Sequence, residues 1–169
     1  PLKDEATLTP FEHRLRMVEL AIEPYQPKIK ACSIEADMPR PSYTLDTLNE
    51  LSRRFPTHRF AVIMGADSME TITEWKDYQK MLENYEVMVY PRVGTDLRAI
   101  AKEWGVTPVQ APIVEVSSTM IRKEIRNGRD MSHFIPSMTY EYIMEMGLYG
   151  CLLYTSPSPR DRTRSRMPS

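Results

Sequence analysis

The feature that most constrains this chain is Phe60-Ala61-Val62-Ile63-Met64, a short unbroken apolar run that breaks off at Gly65-Ala66-Asp67. Such a run reads as a strand buried on both faces, which is the habit of parallel sheets rather than of half-solvated antiparallel ones. A second run, Glu86 to Tyr90, ends at Pro91-Arg92-Val93-Gly94, and a third short strand is expected from Val106 to Gln110. Helical character fills the intervals, in parts of residues 68–83 and again from about Thr95 to Trp104, where Gly105 supplies the stop. Buried strands alternating with helices define an α/β domain, a parallel sheet with helices on both faces that takes its ligands at the carboxyl ends of the strands. That reading puts Gly65–Asp67, Arg92 and Ser117–Thr119 on one rim.

The flanking segments follow the same rules. Thr9-Pro10-Phe11-Glu12 sets a capping hydroxyl, a proline and a glutamate ahead of the stripe Phe11, Leu15, Val18, Ile22, so a helix is expected from there to Pro24. Lys28 to Met38, bounded by prolines at 27, 39 and 41, reads as an extended edge segment. Leu45, Leu48, Leu51 and Phe55 recur at helical spacing behind Ser42, a cap, and the helix stops before Pro56. Two helices close the domain, about Ser118 to Arg126 and Pro136 to Met146, with Asn127-Gly128 and Gly147 as their stops.

Charge divides the chain unevenly. Cys151 to Ser169 holds four Arg against one Asp, a net of +3, while residues 1–150 hold 18 basic and 22 acidic side chains, a net of −4. Cys151-Leu152-Leu153-Tyr154-Thr155-Ser156 is what the transposon-end adapter of DNA library preparation encodes in one frame. The tail 151–169 is therefore expected to be non-native read-through or else a disordered basic arm, and residues 1–150 to form the domain. An acidic body with a few placed cations suits small anionic ligands and not nucleic acid. No apolar stretch approaches the ~18 residues of a membrane span, so no membrane partner is expected and a cytoplasmic location is. Two cysteines, Cys32 and Cys151, cannot make a disulfide framework or a zinc site by themselves.

Several residue groups could carry chemistry. Ser117-Ser118-Thr119-Met120-Ile121-Arg122 sets hydroxyls at a helix start and a guanidinium one turn in, a pattern whose spacing alone favours an ordinary cap and which can also serve an anion site. Asp67, just past Gly65, either caps the next helix or accepts hydrogen bonds from sugar hydroxyls. Trp75 either packs on the core or stacks on a flat ligand. The histidines, His13, His58 and His133, form no two-histidine motif, no metal-ligand spacing is visible, and the six glycines match neither common phosphate-loop pattern.

Taken in order, Pro1-Leu2-Lys3, Pro41-Ser42-Tyr43-Thr44 with Asp46-Thr47-Leu48, Gly65-Ala66-Asp67, Trp75, Tyr90-Pro91-Arg92 and Val116-Ser117-Ser118-Thr119-Met120-Ile121-Arg122 resemble bacterial nicotinate-nucleotide adenylyltransferase over residues 1 to about 149. The resemblance implies a Rossmann-like fold of nucleotidyltransferase type. It also implies transfer of AMP from ATP to nicotinate mononucleotide, giving deamido-NAD and pyrophosphate with Mg²⁺ assisting and no covalent intermediate. Lys3, Arg92 and Arg122 are then the cations that meet the phosphates, and Ser117, Ser118 and Thr119 hold those of ATP. Thr44 and the backbone at Lys76 receive the nicotinate carboxylate, Trp75 lies against the pyridine ring, and Gly65 and Asp67 line the nucleotide site. No catalytic side chain is assigned within the chain, because the family's G-x-F-x-P-x-H-x-G-H motif is expected upstream of residue 1. On that reading the first strand and helix are missing, and the 169-residue chain is expected to be inactive and marginally stable. Pantetheine-phosphate adenylyltransferases and small cytidylyltransferases share the late Ser/Thr turn but lack the Tyr43-Thr44 and Gly65-to-Trp75 set, and a non-catalytic nucleotide-binding module is the alternative of another class.

Overall fold

The computed structural model describes residues 8–150, which group into two compact units. The first takes in residues 32–115 and carries the sheet. Strands β1 (Ala61–Gly65), β2 (Glu86–Tyr90) and β3 (Thr107–Pro108) run parallel in the order β1-β2-β3, with Val62 opposite Val87, Met64 opposite Val89 and Met88 opposite Thr107. The helices of this unit are α2 (Thr44–Arg54), the single turn α3 (Ala66–Met69), α4 (Tyr78–Asn84) and α5 (Leu97–Trp104). One cluster gathers Met64, Val87 and Val89 of the strands with Leu45 and Leu48 of α2, Met69, Ile72 and Met81. The α/β expectation holds, and the strand-to-helix junctions fall where the glycines and prolines put them.

Two local expectations fail for physical reasons. The run around Ile63 is not buried throughout: Ile63 is 68% exposed and Ala61 is exposed as well. Side chains alternate along a strand, so Val62 and Met64 enter the cluster while Ala61 and Ile63 face away from it. The segment 28–38 forms no strand, and Ile34–Asp37 closes a 3₁₀ turn on its own carbonyls, with Ala36 N–H donating to Ser33 O at 2.8 Å and Ile34 buried. An apolar side chain that can be buried by a local turn needs no partner strand. The third strand is also shorter than expected: only Thr107–Pro108 pair with β2, and Val109 N–H gives Val89 O a bond of 2.8 Å at its end.

The second unit, residues 9–31 and 116–150, holds α1 (Phe11–Ile22), α6 (Ser118–Arg126) and α7 (Ser137–Glu145). Ile125, Met131 and Ile143 form its core, with Met17, Met120 and Ile121 packed beside them. His13 Nδ1 lies 2.7 Å from the Tyr142 hydroxyl, joining α1 to α7. The start of α1 differs from expectation: Pro10, not Thr9, occupies the cap position, and no side chain caps it. Likewise Tyr43 and not Ser42 precedes α2, which makes Thr44 the first residue of that helix. No helix among the described residues is long and apolar enough to cross a membrane.

Candidate functional site

At the carboxyl ends of β1 and β2 the chain brings Gly65, Asp67, Tyr90 and Arg92 together. Gly65 is buried and has φ −75° and ψ 152°, which any residue can adopt, so space and not conformation calls for glycine there. A Cβ at this position would collide with Asp67 Oδ1 and stand 3.3 Å from both Arg92 Cγ and Tyr90 Cζ. Asp67 does not cap α3, whose cap residue is Gly65 without a side-chain bond; its Oδ2 instead lies 3.4 Å from Arg92 Nε. Arg92 is fixed from behind, since its N–H donates to Thr95 Oγ1 at 3.3 Å and the Thr95 hydroxyl donates to Arg92 O at 2.8 Å. Its guanidinium also reaches Val114 O at 3.5 Å. The result is a carboxylate and a guanidinium held side by side, with the acid more exposed, so that each can still meet a polar ligand.

A second group forms where α2 begins. Lys76 Nζ donates to Asp46 Oδ2 at 2.9 Å and stands 4.7 Å from the centre of the Tyr43 ring. The hydrogen bond to Asp46, foremost, raises the Lys76 ammonium above its ordinary lysine range. Thr44 is half-buried beside Tyr43. Trp75 answers its two readings in part: the ring packs against the sheet cluster, and its indole Nε1 is buried with no acceptor among the described residues. Buried indole N–H groups usually find a partner. Next in the chain, Asp77 has a left-handed backbone (φ 52°) and takes Lys80 Nζ at 2.9 Å, which lowers the pKa of its carboxyl. Thus the turn Trp75–Asp77 is tied down on both sides.

In the second unit, Ser117 caps α6 as a side chain, its Oγ accepting from Met120 N–H at 3.1 Å. Ser118 and Thr119 are exposed, and Arg122 donates to Thr119 Oγ1 at 3.3 Å from one turn on. The cap reading of Ser117 is therefore correct, and it leaves Ser118, Thr119 and Arg122 presented at a helix start whose first N–H groups have no intrahelical partner. Ser117→Ala is expected to cost about 1 kcal/mol, read as a lowered urea midpoint at unchanged slope; an unmoved midpoint would show that the cap contributes nothing. Lys3 lies outside the described residues. Among the described residues no three His, Cys, Asp or Glu side chains come together as a metal site. Sequence reasoning did not assign roles to Asp46 and Tyr90. Asp46 meets its partner across thirty positions in the chain, a distance at which spacing carries no signal.

These features define a nucleotidyltransferase-like domain, and residues 1–124 match the family model described as cytidylyltransferase-like. A protein of Flavobacterium johnsoniae named "probable nicotinate-nucleotide adenylyltransferase" is 40% identical over 154 residues, covering 88% of this chain and 78% of its own length. A protein of Porphyromonas gingivalis with the same name is 34% identical over 153 residues, covering 90% and 77%. The chain belongs to the nicotinate-nucleotide adenylyltransferase family. Among solved structures, Plasmodium falciparum nicotinic acid mononucleotide adenylyltransferase complexed with NaAD superposes with a TM-score of 0.70 at 22% identity, over 89% of this chain and 80% of that one. That match speaks for the fold.

Proposed function

We propose that this protein transfers AMP from ATP to nicotinate mononucleotide, in NAD biosynthesis, and that residues 1–150 act as one nucleotidyltransferase domain in the cytoplasm with small nucleotides as its partners. The mononucleotide's phosphate oxygen forms a bond to the α-phosphorus of ATP, the bond from that phosphorus to the bridging oxygen breaks, and pyrophosphate leaves. Two polyanions must be aligned and their charge offset, so the protein's share is positioning and electrostatics. Ser118, Thr119 and the start of α6, with Ser117 as its cap, receive ATP phosphates, and Arg122 supplies a forked donor that a lysine would not reproduce. Lys3 and Arg92 add positive charge. Asp67, beside Gly65, accepts from sugar hydroxyls. Mg²⁺ enters only as the companion of the ATP phosphates.

The observation that carries this reading is the ion pair of Lys76 with Asp46 over the Tyr43 ring, which ties the residue after Trp75 to the helix that Thr44 opens. Such a place suits a pyridine acid better than its amide, because a carboxylate rewards hydroxyl and backbone N–H donors. Calorimetric titration of the protein with nicotinate and nicotinamide mononucleotides tests it. A charge-assisted hydrogen bond is worth ~1.5–3 kcal/mol, so the acid is expected to bind about tenfold more tightly or better. Equal affinities would remove the roles given to Thr44, Trp75 and Lys76.

A further inference from the structure

The turn that presents Trp75 has little to hold it in the chain's own backbone. Trp75 N–H donates to Ile72 O at 3.0 Å and Tyr78 N–H to Trp75 O at 3.3 Å, but no backbone carbonyl among the described residues takes the Lys76 N–H. What fixes Lys76 is its side chain, which crosses to helix α2, pairs with Asp46 and lies over the Tyr43 ring. Asp46 sits in the first turn of α2, two residues after Thr44, so the same contact ties the Lys76 side chain to the start of that helix. We infer that Asp46 is a positioning residue for the acid group of the mononucleotide: it holds the Trp75–Lys76 turn against the start of α2, so that the Thr44 hydroxyl and the Lys76 N–H face one carboxylate together.

This inference rests on the reading of Thr44 and Lys76 given above, and it adds a consequence for charge. With its ammonium neutralised by Asp46, Lys76 does not act on the substrate through its side chain, and recognition of the acid falls to oriented dipoles. Both partners of the pair are about two-fifths exposed, 44% for Lys76 and 40% for Asp46. A pair of that exposure adds little to overall stability. Its effect lies in the population of the competent turn, since apparent affinity falls in proportion to the fraction of molecules that hold the binding conformation.

The test is Asp46→Asn, with Asp46→Glu as the conservative variant, in titrations of the full chain with nicotinate mononucleotide and separately with ATP. Asp46→Asn is expected to weaken the mononucleotide about three- to tenfold while leaving ATP affinity and the melting temperature unchanged, and Asp46→Glu to restore most of the loss. Unchanged mononucleotide affinity in Asp46→Asn overturns the inference. Tighter binding overturns it too, because it would mean that the freed ammonium reaches the substrate. A parallel loss of ATP affinity and melting temperature also overturns it, by making Asp46 merely structural. Should the unsubstituted chain fail to prefer the acid over the amide, the functional reading itself fails, whereas a normal preference with an indifferent Asp46→Asn sinks only the positioning role.

Discussion

Replacing Ile72 by alanine is expected to destabilise the sheet-bearing unit by about 2–5 kcal/mol, the range for truncating a fully enclosed aliphatic side chain. Ile72 is 0% exposed and belongs to the cluster that includes Met64, Met69, Met81 and Val89. It opens the 3₁₀ turn Ile72–Glu74, a short element with few bonds of its own, so the side chain is what fastens the turn to the sheet. Removing three carbons there leaves a void beneath the residue whose carbonyl accepts from Trp75 N–H. Two effects follow in one variant: a lower urea midpoint followed by circular dichroism, and a weaker grip on nicotinate mononucleotide as the Trp75 turn loosens. Ile72→Val removes a single methylene and should lie near 1 kcal/mol with little change in binding. A loss below about 1 kcal/mol for Ile72→Ala would mean that the surroundings collapse to fill the gap, and that the turn is held by something other than this side chain.

What the residue order made legible follows from the range of the forces involved. Helix α6 spans Ser118–Arg126, as its hydroxyls and Asn127-Gly128 indicate, because caps and stops act within a turn. The strands at 61–65 and 86–90 were legible from apolar runs ended by Gly and Pro. Ile63 was not, because its exposure depends on what covers each face of the sheet, and a run of apolar letters does not say. Residues 28–38 misled because prolines exclude helix and ladder alike, leaving a local turn around Ile34 as an equal solution. The site shows the same split. Ser117, Ser118, Thr119 and Arg122 could be named from a local pattern, whereas the bond from Lys76 to Asp46 depends on tertiary placement. The role of Trp75 was open between core and ligand, and the ring turns out to pack on the core while its indole N–H stays unpaired among the described residues.

Gly65→Ala should weaken nicotinate mononucleotide binding by at least about tenfold, a difference of some 1.4 kcal/mol. The backbone there is extended, so alanine meets no conformational strain, and the whole effect comes from one methyl group in a filled space. That methyl would collide with Asp67 Oδ1, while the Tyr90 ring and the Arg92 stem stand tight against it at 3.3 Å. Asp67 is the most exposed of these neighbours and gives way first, breaking its 3.4 Å approach to Arg92. Because the displaced atom is the tip of an exposed side chain, the change falls mainly on binding and little on stability. A double-mutant cycle separates steric displacement from other causes: with Asp67→Ala already in place the carboxylate is gone, and adding Gly65→Ala should then cost much less than it does alone. Equal costs in both backgrounds would place the conflict with Tyr90 or Arg92 instead. A Gly65→Ala protein with unaltered affinity and stability would show that Asp67 can leave its place beside Arg92 without consequence, and that the carboxylate takes no part in holding the nucleotide.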